Sequence, residues 1–282
     1  MYNTFSLILA TKNRVTEVAE FLESIKALNY DKEMINIIIV DQNKNNELDN
    51  IVSKYSDLNI QHIKSNIEGL SQNRNIGLKY ANGDIVAFPD DDCEYLSSTL
   101  ETVNHIFNSH NDIGVVMGRI VERDDSDSLR KWPKEEINIT TRNFYTKCSS
   151  ITIFSRNDAA AHGFDEKLGV GNIFGSCEDS DYLYRKLKAG IKIRYFPEIK
   201  VFHPHYDAKG NMSLSKVYNY GLGFGAFARK NLDLDTFVLF LKANTYHLLK
   251  MLLSILTFNK KLAIKSLYAF KGRIVGFYKY KK

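Results

Sequence analysis

The chain has 282 residues, 44% of them hydrophobic, 12% aromatic and 25% charged, which suffices for a sizeable core and excludes a disordered or collagen-like chain. The formal net charge of +5 hides an asymmetry: no acidic residue follows Asp235, and ten Lys or Arg fall in the last 47 positions, leaving 28 basic against 33 acidic side chains in residues 1–235. An acidic body argues against nucleic acid as a partner, because phosphate backbones select basic surfaces. Cys93, Cys148 and Cys177 are odd in number and lack C-x-x-C spacing. Neither a disulfide framework nor a zinc site is expected, and a reducing cytosol fits best. The N-terminal stretch has no basic region before its short apolar run, so no secretory leader is expected.

Residues 5–10 (FSLILA) form an apolar run suited to a buried parallel strand. Thr11-Lys12-Asn13-Arg14 follows, then Val15, Val18, Ala19, Leu22 and Ile25 at helical spacing. Residues 35–40 (INIIIV) read as a second buried strand ending at Asp41, 47–55 as a helix, 59–63 as a third strand and 69–80 as a helix. Residues 84–88 (DIVAF) make a fourth strand that runs into Pro89-Asp90-Asp91-Asp92. This alternation predicts a doubly wound, mostly parallel α/β sheet. Such sheets bind ligands beyond the carboxyl ends of their strands, where Thr11, Asp41 and Asp90–Asp92 all fall. Further on, 113–121 and 150–154 read as strands, 122–136 as a loop, 169–175 as a Gly-rich loop, and a helix starts at Glu178. Residues 192–196 and 199–202 read as two short β segments leading to His203, and helices take over from about Ser213.

Three consecutive aspartates after a buried strand raise one another's pKa, a cost that a bound divalent cation removes. Oxygen ligands suit Mg²⁺ or Mn²⁺. Asp90 and Asp92, flanking Asp91, would let one carboxylate face the metal and the other the donor's ribose or metal-bound water; Asp91 could exchange roles with either.

The strand with its D-x-D, Gly83 to Asp92, resembles the corresponding motif of the family 2 glycosyltransferases, whose nucleotide-sugar-binding domain has the GT-A fold. Ala10-Thr11-Lys12-Asn13-Arg14 is similar to that family's first nucleotide loop, with Ala10 in place of the usual proline. Asp41 matches the acidic residue that the resemblance assigns to the nucleobase, although Gln42-Asn43-Lys44-Asn45-Asn46 departs from the family's usual turn. Asn66, Gly69, Arg74, Asn75 and Gly77 fall where the family has N-x-G-x-x-x-x-R-N-x-G, which places Asn66, Arg74 and Asn75 toward the nucleotide. Residues 163–190 resemble the same family's F-D-E…G-x-G…E-D-x-D…R…G signature, the most specific match in the chain.

Physically, a carboxylate at a helix start stays ionised, as a general base should. The resemblance implies Asp179 as the base that deprotonates the acceptor hydroxyl, with Glu178 beside it, and transfer with inversion. Asp181 and Arg185 are spaced to pair on one helix face. His203 matches a histidine that completes the metal site or contacts the diphosphate in several members, with His205 the alternative. Gly221-Leu222-Gly223-Phe224-Gly225 has two readings: glycines for close helix packing, or, by resemblance, a turn near the acceptor.

Residues 236–258 are apolar but interrupted by Lys242, Asn244, His247 and Lys250, which argues against a spanning helix. Residues 259–282 add eight Lys or Arg among apolar and aromatic residues, a mixture suited to an anionic membrane surface. The expected organisation is a catalytic domain over 1–210, with a nucleotide-sugar half at about 1–95 and an acceptor half at about 96–210, then a basic helical tail over 211–282. The resemblance implies a metal-dependent transferase moving a sugar from a nucleotide diphosphate, uridine being the family's commonest carrier, to a saccharide or lipid-linked saccharide. Surface polysaccharide assembly at the inner face of the cell membrane is the expected setting. The rivals are a nucleotidyltransferase, for which the first loop lacks a phosphate-cradling glycine, and a non-catalytic membrane-associated sugar-binding protein.

Overall fold

The computed structural model describes residues 1–147, 149–204 and 212–281. Two compact units make up the chain: Met1–Gly163 with Leu183–Tyr206, and Phe164–Tyr182 with Asp207–Lys282. His205 and the expected boundary at 210/211 lie outside the described residues.

The first unit is built on one mixed sheet of nine strands. β1 (Phe5–Thr11) lies between β2 (Ile35–Asp41) and β4 (Ile85–Ala87), with β3 (Asn59–Lys64) outside β2, all parallel. Every residue of β1 is buried and only Asn36 of β2 is not, as expected of strands covered on both faces. β3, at the edge, has no buried residue and carries Asn59, Gln61, His62 and Lys64. Beyond β4 the order continues through β8 (Ile153–Arg156), β6 (Val115–Val121) and β9 (Ile193–Phe202) to the two-residue β5 (Glu94–Tyr95); β7 (Ile137–Ile139) also pairs with β9. β8 runs antiparallel to both of its neighbours, which makes the sheet mixed at this point.

Several boundaries differ from the sequence reading for local reasons. Residues 150–152 form a 3-10 turn, so the strand expected at 150–154 starts at Ile153. The two β segments expected before His203 are one strand: its pairing to β6 shifts register between Met117 and Arg119, opposite Pro197. Proline cannot donate to the ladder, and there Gly118 sits against Ile199 with no room for a Cβ.

Helix α1 (Val15–Lys26) buries Val18, Phe21, Leu22 and Ile25 on the sheet side. The short α2 (Glu47–Val52) continues as a 3-10 turn to Tyr55. α3 (Leu70–Leu78) starts after Gly69 at φ 119° and buries polar side chains, Ser71, Asn73 and Arg74, together with Gly77. A side chain at Gly77 would strike Ile8. α4 (Thr99–Ser109), not anticipated from the sequence, buries Leu100, Val103, Ile106 and Phe107, and α5 (Asn157–Ala160) is a single turn.

The second unit begins with the Gly-rich loop and the start of α6 (Glu178–Lys188), then continues as α7 (Leu214–Lys230), α8 (Leu234–Leu256) and α9 (Lys260–Lys279). Ser213 caps α7, Asn259 caps α9, and Asp233 with Thr236 forms a capping box on α8. The Gly221–Gly225 stretch is helical and no turn: a Cβ at Gly221 would lie 2.8 Å from the Ala269 carbonyl oxygen, and one at Gly225 or Gly276 would collide with the facing backbone. These glycines let α7 and α9 touch backbone to backbone, so the packing reading is the one realised. Lys230 bridges Asp165 (2.7 Å) and the fully buried Asp181 (2.8 Å), and the Tyr280 hydroxyl donates to Asp165 at 2.8 Å.

Candidate functional site

In the first unit the carboxyl ends of β1, β2 and β4 bring most of the sequence-predicted residues together. Thr11 and Asp41 are register partners at the ends of β1 and β2. β4 stops at Ala87, and the chain turns through Pro89 into the three aspartates.

Each aspartate has a different partner, and the partners separate their chemistry. Asp90 accepts from Arg74 Nη2 at 2.7 Å; Arg74 is fully buried and also donates to Ser150 Oγ at 3.2 Å. Asp91 Oδ2 accepts the Thr11 hydroxyl at 2.8 Å. Burial, reinforced by the neighbouring Asp90 and Asp92 charges, pushes the Asp91 carboxyl up to about 7 despite Thr11 and Arg14. Asp92 has Arg14 Nη1 2.6 Å from Oδ2 and His203 Nε2 3.3 Å from Oδ1. Burial alone would raise the Asp92 carboxyl, but His203 and Arg14 outweigh it and hold it below the usual range.

His203 lies just past the end of β9, its backbone N–H donating to the Val121 carbonyl at 3.3 Å. Its Nδ1 lies 2.9 Å from the Pro204 carbonyl oxygen, an atom that can only accept. Nδ1 therefore carries the proton, and Nε2 faces Asp92 either protonated or with its lone pair outward. Burial favours the neutral ring, but Asp92 more than offsets it and raises the imidazole pKa. A carboxylate oxygen and an imidazole nitrogen facing each other, with the second imidazole nitrogen tied to a carbonyl, is a donor set that fits Mn²⁺ or Mg²⁺. Asp92 and His203 are thus the residues that could hold the cation that the D-x-D implies.

Asp41 is completely buried and accepts from Lys64 Nζ (2.9 Å) and the Asn43 N–H (2.7 Å), with His62 Nε2 at 3.0 Å. Asp49 joins through His62 and Lys64, at 3.3 and 2.9 Å. Ligand atoms of Asp41, Asp49 and His62 lie within 4.8 Å of one another. The Lys64 ammonium already contacts both carboxylates, so no further cation is needed there. His62 and Lys64 were missed in the sequence; the available signal was two polar residues, two apart, at the carboxyl end of an edge strand. Asn43, in the turn that departs from the family pattern, also receives the Asn13 N–H at 2.6 Å, and Asn13 sits at φ 59°. That bond fixes the loop preceding α1, whose first turn lacks a side-chain cap.

Asn66 is exposed in the segment before α3, and Asn75 lies on α3 with its carbonyl oxygen against Gly163. A cavity of about 680 Å³ opens beside Asp92, bounded by Glu17 and Glu20 of α1 and by Arg123 and Phe202. The Arg123 guanidinium stacks 3.7 Å over the Phe202 ring and pairs with Glu94.

In the second unit Glu178 and Asp179 open α6 after Cys177, which has φ 68°. Glu178 is buried and Asp179 partly so; Asp179 Oδ1 accepts the Ser180 N–H at 2.7 Å. Asp181 is bonded by Lys230 and by Asn231 Nδ2, at 2.8 Å each. In the first unit Arg185 donates to the His162 and Gly163 carbonyls at 2.8 and 2.5 Å.

The chain is similar to several known proteins. Over 179 residues the chain is 28% identical to the minor teichoic acid biosynthesis protein GgaB of Bacillus subtilis (strain 168), covering 59% of this chain and 20% of that protein. It is 27% identical over 164 residues to the poly(ribitol-phosphate) beta-N-acetylglucosaminyltransferase TarS of Staphylococcus aureus (strain MW2), covering 55% and 29%. The chain thus spans less than a third of the length of these relatives. Among solved structures, S. aureus TarS 1–349 in complex with UDP-GlcNAc superposes with a TM-score of 0.63 at 20% identity, over 82% of this chain and 68% of that one. The mannosyltransferase PcManGT of Pyrobaculum calidifontis, in complex with GDP-Man and Mn²⁺, superposes at 0.66 with 14% identity, over 100% and 89%. These likenesses identify the fold as the GT-A α/β fold with a helical C-terminal region. The model of "Glycosyl transferase family 2" matches residues 6–162. With more than half of its residues inside that match, the chain belongs to glycosyl transferase family 2.

Proposed function

We propose that the chain transfers a sugar, with inversion, from a nucleotide diphosphate donor to a saccharide or lipid-linked saccharide acceptor. The uridine diphosphate sugars are the first donors to test, because TarS is described with UDP-GlcNAc, and bacterial surface polysaccharide of the teichoic acid class is the setting that GgaB and TarS suggest. The observation that carries the reading is Asp92, held between Arg14 and His203 at the carboxyl edge where Thr11 and Asp41 end their strands and Asp90 follows the end of β4. Asp41 would receive the nucleobase. Thr11, Asn13, Arg14, Asn66, Arg74, Asn75, Asp90 and Asp91 would line the donor, and Arg74 would fix Asp90 from below.

Asp92, Asp90 and His203 would hold Mn²⁺ or Mg²⁺; the PcManGT complex with Mn²⁺ supports a divalent ion. When bound, such a cation supplies positive charge to the leaving diphosphate. Asp179, with Glu178 beside it, would take the acceptor hydroxyl's proton, and the freed oxygen would attack the anomeric carbon opposite the leaving group. The working division of the chain remains a nucleotide-sugar half to about residue 95, an acceptor half to about 210 and a basic helical tail. That tail would keep the enzyme peripheral on the cytoplasmic face of the membrane, beside a lipid-linked acceptor.

The test is binding and hydrolysis of a panel of nucleotide sugars with Mn²⁺, with Mg²⁺ and with a chelator. Metal-dependent turnover of one donor, lost in Asp92→Ala, is the expected result. If no nucleotide sugar binds under any condition, the transferase reading fails, and a non-catalytic sugar-binding protein takes its place.

A further inference from the structure

Helices α8 and α9 display their large apolar residues to solvent. Leu241, Leu248, Leu249, Leu252, Leu253 and Leu256 of α8 are all exposed, as are Ile264 and Leu267 of α9. The side of α8 that is buried carries Thr236, Phe240, Asn244 and Ser254, and the buried side of α9 is Ala263, Ser266, Ala269, Gly272 and Gly276. A helix packed in water turns its apolar stripe inward. Here the leucines face out instead: α9 packs through small residues, and α8 through polar side chains and one aromatic, Phe240, which meets Phe224 of α7 and Phe277 of α9. That arrangement suits helices whose surroundings are themselves apolar, where close approach through small residues holds the helices together. An exposed apolar surface of this extent marks a docking face.

The charge on the page selects the occupant. No acidic residue follows Asp235, and ten Lys or Arg do, which favours an anionic surface over a second copy of this equally basic region. No described helix is long and apolar enough to cross a membrane, so the contact is with one face of a bilayer. Phe258, in the turn between the helices, is the most exposed apolar side chain of this region at 89%, with Leu253 at 61% and Leu256 at 73% beside it; Leu234 (75%) and Tyr278 (80%) stand exposed at the other ends of the two helices. Lys260 and Lys261 follow at once and are exposed too.

We propose that the α8–α9 turn and the outward face of α8 dock the chain on an anionic phospholipid bilayer. Leu253, Leu256 and Phe258 enter the acyl boundary, and Lys260 and Lys261 meet the phosphates. This deepens the membrane-surface part of the reading above and is independent of its transfer chemistry.

Flotation of the full chain with vesicles of phosphatidylcholine, alone or mixed with phosphatidylglycerol, tests it. Binding is expected to the mixed vesicles and to weaken with salt. The pair Leu256→Glu and Phe258→Glu should lower the affinity at least about tenfold, since neither side chain can then bury apolar surface among the acyl chains. Lys260→Glu with Lys261→Glu should remove the preference for the anionic lipid. Phe258→Trp provides a reading without loss of binding: its emission should shift to the blue and be quenched by brominated acyl chains, against the background of Trp132, the one native tryptophan, which is buried. Wild-type protein that stays unbound with both vesicle types, turn variants that bind like wild type, or an unquenched Phe258→Trp would each overturn the proposal. A lipid-free dimer that Leu256→Glu dissociates, with no recruitment to vesicles, would assign the face to a second copy. Donor hydrolysis in lipid-free solution keeps the two readings apart. Absent turnover with intact vesicle binding sinks the transferase reading alone, and intact turnover without vesicle binding sinks this one.

Discussion

The two units of this chain solve opposite problems. In the first, apolar strands are covered on both faces and charges collect at one edge of the sheet, where each has a named partner. In the second, the charges that matter structurally lie inside, at Asp165, Asp181 and Lys230, while leucines stand outside on α8. Burying Phe5, Ile8 and Val86 is what water demands of a domain; exposing Leu253 and Leu256 is what water penalises. The contrast teaches that one chain can carry cores ordered for different surroundings, and that the sign of its surface charge changes with them.

The largest effect should come from the core of the first unit. Phe154→Ala, at a fully buried position, should cost about 3–5 kcal/mol in urea unfolding. A cost under about 1 kcal/mol would mean that the sheet is not the stabilising element described. Nearly as large should be Lys230→Met, which takes from Asp165 and Asp181 the cation they share and should cost about 3–5 kcal/mol.

The same cluster predicts a pH dependence. Burial would raise the Asp165 carboxyl, but Lys230, the Lys167 N–H and Tyr280 together hold it below the usual range. A carboxyl depressed in the folded state stabilises it above the unfolded pKa, and that contribution disappears as pH falls through the folded pKa. Stability should therefore drop as pH falls below about 4, the unfolded carboxyl's range, and less steeply in Asp165→Asn. Equal slopes in the two proteins would remove Asp165 from the acid response.

Gly225→Val should follow in size, at about 1–3 kcal/mol, because the new side chain meets the Arg273 carbonyl across the α7–α9 contact. Smallest of all should be Leu256→Ala, below about 0.5 kcal/mol. A larger loss there would show that α8 already has a protein partner for its leucines, and would erase the contrast between the units.

Much of the first unit was legible because its signals are local. The runs FSLILA and INIIIV need no partner to be read as buried strands, and the aspartates advertise themselves at the end of a third. What escaped depended on pairing. β5 is two residues long and exists only against Val201 and Phe202. Pro197 split β9 in the sequence, although the strand continues past it after a register shift. That Arg74 is buried and donates to Asp90 and Ser150 shows only once the fold brings them together. Helix α4 was readable and was passed over: Leu100, Val103, Ile106 and Phe107 keep helical spacing. His203 was expected beside the aspartates, but its approach to Asp92 and the bond to the Pro204 carbonyl that fixes its ring could be seen only in three dimensions. In the tail, periodicity announced helices but could not say which stripe would face inward, since that depends on the surroundings.

The most direct test of the central claim is metal-dependent hydrolysis of a UDP-sugar by wild type and by Asp92→Asn, measured side by side with Mn²⁺ and with chelator. We expect turnover by wild type with Mn²⁺, loss with chelator, and a fall of about 10²–10³-fold in the folded variant. Equal rates in wild type and Asp92→Asn, or rates indifferent to the chelator, would contradict the assignment of Asp92 as the residue on which donor activation turns.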